Sequence, residues 1–201
     1  ILGYCVPVIL MVLLGVVSYQ RSMKSIKAQY EQSVIDTVSA MSQNCQLLCQ
    51  NGQNKGAEFA SNDYLQTYYT KAYKADAIEA QSCYRSVQNV LTTSRGTSSY
   101  IYNYVVFGEN GNGITSGTRS TNAETYQEYL ESGEGKRFEE ASGNKAYWSG
   151  YHNYLDGVVE MNPDKYALAY TRTFAKGNGF ISLDITTEAI QDILMNIDNG
   201  A

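Results

Sequence analysis

The chain has 201 residues, 15 Lys and Arg against 20 Asp and Glu, and a net charge of −5. With 43% hydrophobic residues and 18 Tyr, 5 Phe and 1 Trp to bury, it is too apolar to stay disordered, and its acid excess without any basic run argues against a nucleic-acid partner. The 17 Gly with only 2 Pro exclude a collagen-like chain, 4 Cys are too few for a disulfide scaffold, and 1 His leaves little for zinc or triad chemistry.

Residues 1–20 carry no charge. At 1.5 Å per residue about 19 apolar-leaning residues span roughly 28 Å, so the segment is predicted to be a transmembrane helix. Tyr4 and Tyr19 stand near its two ends, where amphipathic rings favour the interface, and Pro7 is tolerated near the end of such a helix. A cleaved signal peptide is the alternative, but the run is long for one and no small-x-small site follows. Arg21, Lys24 and Lys27 come next, and the positive-inside rule alone would place them in the cytoplasm. The chain starts at Ile rather than Met, so further flanking residues are expected upstream.

From residue 17 the apolar period is helical, with Met23, Ile26, Tyr30, Val34, Val38, Met41, Cys45 and Leu48 three or four apart. This narrow stripe on a polar helix suits pairing with a second helix, as in a homodimer. Residues 51–56, rich in Asn and Gly, are predicted to end it. Ser61, Asn62 and Asp63 form an N-cap cluster for the next helix, and Asp76 with Glu79 resembles a capping box. That helix runs through Ala80, Cys83, Tyr84, Val87, Val90 and Leu91 to a predicted cap at Gly96. Cys45 and Cys49 share a helical face; small apolar filler, a bond to Cys83, or pairing of Cys45 across a dimer is compatible with the spacing.

The texture then changes. Residues 100–107 are β-branched and aromatic, hence a strand. Residues 108–113 hold two Asn-Gly pairs, which predict a tight turn with positive φ. They join strand to strand and lack a Gly-Lys-Ser/Thr ending, so they are no phosphate loop. A short helix is expected over 122–131, a partly extended aromatic stretch over 146–154, a strand over 165–174, a turn at 176–179 and a partner strand over 180–185. Thr186 and Thr187 cap a last helix with Ile190, Ile193, Leu194 and Ile197 on one face. The order predicts an α+β protein: a transmembrane helix (1–20), long helices (21–96), and an antiparallel sheet with a closing helix (97–201).

Three stretches carry a resemblance to a known family: the anchor running into a long helix, YWSGYHNYLD at residues 147–156, and GFISLDITTEAIQDIL at 179–194. Together they resemble the Cache sensor, a PAS-like domain of bacterial transmembrane chemoreceptors, sensor kinases and diguanylate cyclases. The resemblance implies an extracytoplasmic sensing domain in the cell membrane, single-pass here, with the sheet outside. Amino-acid-sensing members share a Tyr, then Arg-x-Trp-Tyr, then Tyr-x-Asp, then a last Asp. Trp148, Tyr154 with Asp156, and Asp184 match; the Arg position falls on Ala146, the upstream Tyr on Ala141 and the Tyr after Trp on Ser149. The amine-gripping half is thus present and the carboxylate-gripping half is not.

Ring faces attract a cation and a carboxylate completes the charge, so Trp148, Tyr151 and Tyr154 with Asp156 and Asp184 form a candidate box. Sheet packing is the alternative role for the rings. Alternation puts Phe180, Ser182 and Asp184 on one face of their strand and Ile181, Leu183 and Ile185 on the other. With a loop at 176–179 Asp184 opposes Thr171 and Arg172 goes to the helix face. With a loop one residue shorter, Asp184 faces Tyr170 and Arg172 joins the pocket. Tyr170 and Arg172 are therefore candidates too. His152 is read as an edge residue with a hydrogen bond, or as a pH-sensitive group at the pocket. No metal and no cofactor are expected. The function expected is a non-enzymatic receptor domain for an amine, amino acid or other small metabolite. A pilin-like subunit is the structural alternative, and a hydrolase is disfavoured by the absence of Gly-x-Ser-x-Gly.

Overall fold

A computed structural model of the chain describes residues 2–70, 78–117, 121, 124–141 and 146–195, with only the backbone at 2–6 and 8. It divides into two units, Ile1–Asn44 and Cys45–Ala201.

The first unit is most of helix α1 (Leu2–Ala60). Among the described residues no helix is long and apolar enough to cross a membrane, which overturns the expected single-pass placement in the cell membrane. The apolar segment ends at Val17. Ser18, Gln20, Arg21, Ser22 and Lys24 then turn the helix polar. The stripe residues Met23, Ile26, Tyr30, Val34 and Val38 are all exposed.

The second unit is built on a five-stranded antiparallel sheet in the order β2-β1-β5-β4-β3. Its strands are β1 (Ile101–Gly108), β2 (Gly111–Thr115), β3 (Ala146–Ser149), β4 (Tyr166–Thr173) and β5 (Gly179–Thr186). The end of α1 with α2 (Asp63–Thr70) and α3 (Ile78–Thr97) covers one face. There Phe59, Leu65, Tyr69, Val87 and Leu91 pack on Tyr104, Val106, Ile181, Leu183 and Ile185. On the other face lie α4 (Glu124–Glu131), α5 (Gly133–Ala141) and α6 (Leu155–Val159). Tyr126, Tyr129, Phe138 and Leu155 meet Val105, Phe107 and Phe180 there. The alternation expected in β5 is the one observed, because period-two side chains must divide between two buried faces. The face that carries Asp184 is thus largely filled by its own aromatic core.

Asn51, Gly52 and Gly56 do not end α1. A Cβ on Gly52 would stand 3.1 Å from the Trp148 ring, and one on Gly56 would stand 2.6 Å from Tyr170. The two glycines let the helix approach the sheet, and that contact outweighs their poor helix propensity. The β1–β2 turn is tighter than expected and uses no positive φ; among the described residues only Glu160 and Gly177 have one. Gly111 lies inside β2 instead, where a Cβ would stand 2.6 Å from the Tyr68 ring. Gly96 falls within α3, and the Asp76 cap lies outside the described residues.

Asn62 caps α2, accepting from the N–H of Tyr64 (3.0 Å) and Leu65 (3.2 Å). Thr186 caps α7 (Thr187–Met195) by accepting from Ala189 N–H at 3.1 Å. Cys45, Cys49 and Cys83 are free thiols, and burial pushes the Cys49 thiol up. The tyrosine surplus has a use. The ring of Tyr69 is core, while its hydroxyl donates to the carbonyls of Asn112 (2.8 Å) and Val106 (3.2 Å). Tyr69 thus fills apolar volume and still satisfies its polar tip.

Candidate functional site

Register decides which side chains meet. Asp184 opposes Ala169 on one side and Asn103 on the other, and Ala169 in turn opposes Ser149. These four share a row on the face of α4–α6. In the β4–β5 hairpin Phe174 N–H donates to Gly179 O, and Gly177 takes φ +83° in the turn. Neither expected pairing of Asp184 occurs, since the turn sits one residue earlier in the chain than either expected register allows.

Tyr170 opposes Leu183, Arg172 opposes Ile181, and Trp148 opposes Tyr170. Trp148 and Tyr170, together with Arg172, which one of the two expected registers also sent there, therefore lie on the face covered by α1–α3, where the Trp148 and Tyr170 rings pack with centroids 4.8 Å apart beneath Gly52 and Gly56. Tyr151 is 67% exposed. Tyr154 donates its hydroxyl to Glu128 at 3.0 Å near the surface. Of the expected set, the side chains of Asp156 and Asp184 are brought into one polar network, which the backbone N–H of Tyr154 also joins.

Its centre is His152, whose side chain is 1% exposed. Nδ1 stands 2.5 Å from Glu134 Oε1, and Nε2 stands 3.0 Å from Asp184 Oδ1. Glu134, in the first turn of α5, also accepts the N–H of Tyr154 at 2.9 Å through Oε2. The backbone N–H of His152 donates to the Tyr166 hydroxyl at 2.7 Å. That hydroxyl donates to Asp156, 2.9 Å from both oxygens. Burial alone would lower the imidazole pKa, but the hydrogen bonds and charges of Asp184 and Glu134 push it up to about 10. Burial pushes Glu134 up, yet its bonds to His152 and to the backbone hold it below the ordinary carboxylate value. Burial raises both Asp184 and Asp156. The network is an imidazolium clamped between carboxylates, the arrangement a buried charge requires.

Ser182 Oγ lies 3.3 Å from His152 Nε2, which gives a triad-like outline. The geometry does not support that chemistry. A general base must be unprotonated near neutral pH, and this imidazole is held as a cation. Ser182 is also 0% exposed, so no substrate reaches it. Sequence reasoning missed Glu134 altogether and read His152 as an edge residue or as a pH-sensitive group at the pocket. The available signal was a lone His and an Asp inside an apolar strand, each needing a partner.

Beside this row lies a cavity of about 230 Å³. Buried Asn103 forms its floor, with Tyr102, Thr115 and Met161 around it and Arg95 and Glu160 bringing opposite charges. Asn103 is held in place: Ser116 Oγ donates to its Oδ1 at 2.5 Å, and its Nδ2 donates to Met161 Sδ at 2.9 Å. The Arg95 guanidinium lies 5.8 Å over the Tyr102 ring, and Tyr102 stacks on Tyr166 at 6.2 Å. Glu160 is left-handed (φ +50°), a conformation that strains a side-chain-bearing residue. Among the described residues no cluster of His, Cys, Asp and Glu could hold a metal ion.

One of the solved structures similar to this fold is the ligand-binding domain of the Campylobacter jejuni chemoreceptor Tlp3, in complex with 4-methylisoleucine. The two share 16% identity with a TM-score of 0.41, over 82% of this chain and 62% of that one. The chain thus spans less than two thirds of that domain's length, and a likeness this distant decides nothing about the site. No family model matches the chain, and no curated protein matches its sequence.

Proposed function

We propose that this chain is a small-molecule-sensing domain of the Cache, PAS-like type, and that it binds without catalysing. The observation that carries the reading is the cavity beside the Asp184 row, with a buried, fully positioned Asn103 beneath groups of both charges. A concave site whose polar groups are held in place can fix the orientation of a specific ligand. Arg95 and Glu160 together favour a small zwitterion such as an amino acid over a simple amine. The cationic His152 and the sealed Ser182 speak against hydrolysis, as argued above.

Asn103 opposes Asp184 on β5, and β5 runs directly into α7 through the Thr186 cap. A ligand that binds one position of β1 better than another therefore acts on the C-terminal helix as well; differential affinity is the only source of such a shift. The exposed apolar stripe of α1 supports pairing with a second copy.

The test is a thermal-shift screen of amino acids, amines and small carboxylates. A zwitterion at about 100 times its Kd should stabilise by about 2.7 kcal/mol, a rise of several degrees. Arg95→Ala should abolish the rise. A rise that survives Arg95→Ala, or no rise with any of the three classes, would overturn the reading. Sedimentation of the same samples should show a dimer, and Ile26→Glu with Val34→Glu should make it a monomer.

A further inference from the structure

The cavity beside the Asp184 row is lined by two consecutive residues, Tyr102 and Asn103. Strict alternation would send neighbours in a strand to opposite faces. The pairing of β1 with β5 breaks at this point: Ile101 opposes Ile185 and Asn103 opposes Asp184, so two steps on β1 match one on β5. Ile101 packs in the core under α1–α3, while Tyr102 and Val105 pack in the core of the other face. The irregularity is what lets Tyr102 and Asn103 share a cavity, since a bulge re-aims the side chains that follow it.

The orientation of the Asn103 amide is set from behind. Ser116 is buried and is not among the described residues that line the cavity. It is tied twice to Tyr104: Ser116 N–H donates to Tyr104 O at 3.0 Å, and Tyr104 N–H donates to Ser116 Oγ at 3.0 Å. A hydroxyl that accepts from a backbone N–H still has its one proton to give, and Ser116 gives it to Asn103 Oδ1 at 2.5 Å. The amide oxygen is thereby turned to Ser116, and the NH2 group is the end left for the cavity. One of its two hydrogens goes to Met161 Sδ on the cavity wall, at 2.9 Å, which leaves the second for a bound molecule.

We infer that the cavity selects a carboxylate on its ligand through the Asn103 NH2 together with Arg95, and that Ser116 is the positioning residue that fixes this preference. The inference rests on the ligand-binding reading above. The guanidinium and this NH2 are both pure donors, so together they suit the acceptor-only oxygens of a carboxylate. An amide in the same place would set its own N–H against one of them. A flipped Asn103 would turn Oδ1 on the carboxylate and repel it. The Ser116 hydroxyl opposes that flip, because its proton would then face an NH2 and lose its acceptor.

The experiment is titration calorimetry of the whole chain with L-alanine, L-serine and L-valine, each set against its own amide. Each acid that binds should bind at least tenfold more tightly than its amide. Ser116→Ala leaves every cavity-lining side chain in place and frees the Asn103 amide to rotate, so the acid-to-amide ratio should fall at least threefold. Asn103→Asp keeps the shape and replaces the NH2 by an acceptor, which should bring the ratio close to one. A change that merely loosened the fold would weaken acid and amide alike and leave the ratio where it was. No binding by any of the acids at millimolar concentration would overturn both this inference and the reading on which it rests. Equal affinity for acid and amide in the native chain, or a ratio unchanged in either variant, would overturn this inference alone.

Discussion

His152→Ala should lower the unfolding free energy by about 3–5 kcal/mol, measured by urea denaturation at pH 7. Removing one member of a buried ion network leaves the others charged and unpaired, which costs far more than the network itself contributes. Here two carboxylates, Glu134 and Asp184, would be stranded at 9% and 0% exposure. Changing Glu134 to Gln in the His152→Ala background should cost much less than the sum of the two separate changes, because the charge left behind is then gone. Additivity of the two substitutions would mean that the groups are not coupled.

The same cluster sets a pH dependence with a definite sign. The folded pKa of His152 is raised, to about 10, above an ordinary 6.5. Its stabilisation is therefore complete below about pH 6.5 and is lost as pH rises towards 10. Glu134 is lowered, so its contribution is lost as pH falls below the ordinary carboxylate value. Asp184 is raised by burial and acts in the opposite sense, gaining as pH falls. The acid limb is therefore mixed, while the alkaline limb belongs to His152. The stability difference between the native chain and His152→Ala should shrink between pH 7 and 10; a constant difference would show an imidazole that is neutral throughout.

Gly56→Val should cost about 1–3 kcal/mol, the usual range for forcing extra carbon into a packed core. Helix propensity points the other way, since almost any residue is better than Gly inside a helix, by up to about 1 kcal/mol. Packing wins because the new Cβ would stand 2.6 and 2.9 Å from two atoms of the Tyr170 ring. That ring is 3% exposed and pinned by Trp148, so it has nowhere to go. At Gly52, where the nearest atom is 3.1 Å away at the tip of Trp148, an Ala should be milder. Tyr170→Ala in the Gly56→Val background should recover part of the loss, and urea midpoints of the four proteins would show it. Stabilisation by Gly56→Val would show that helix and sheet do not pack this closely.

Much of the architecture was legible because it rests on local rules. Alternation in residues 180–185 identified which side chains of β5 meet the helices, and Asn62 and Thr186 announced helix starts through their own side chains. The errors came where a distant contact outranked a local preference. Gly52 and Gly56 read as a helix end because a sequence does not show the ring lying across them. Asn-Gly at 110–111 read as a positive-φ turn, whereas the Tyr68 ring is what demands a glycine there. The site was less legible for the same reason. Tyr170 and Arg172 depended on a hairpin register that one residue of slip reverses, Trp148 rested on the resemblance, and Glu134 lies 18 residues from His152 with no periodic signal linking them. The single-pass placement was overturned because, among the described residues, no helix is long and apolar enough to cross a membrane.

The position of β5 has a consequence for biosynthesis. It is the last strand to leave the ribosome, yet it sits in the middle of the sheet, hydrogen-bonded to β1 and β4. Until it arrives, each of those neighbours has an unsatisfied edge, and the carboxylate that His152 needs has not been made. Closing a loop of this length is slow, and open edges invite pairing with the wrong chain. A nascent chain stalled before residue 179 is thus a candidate for chaperone capture rather than a half-built sheet.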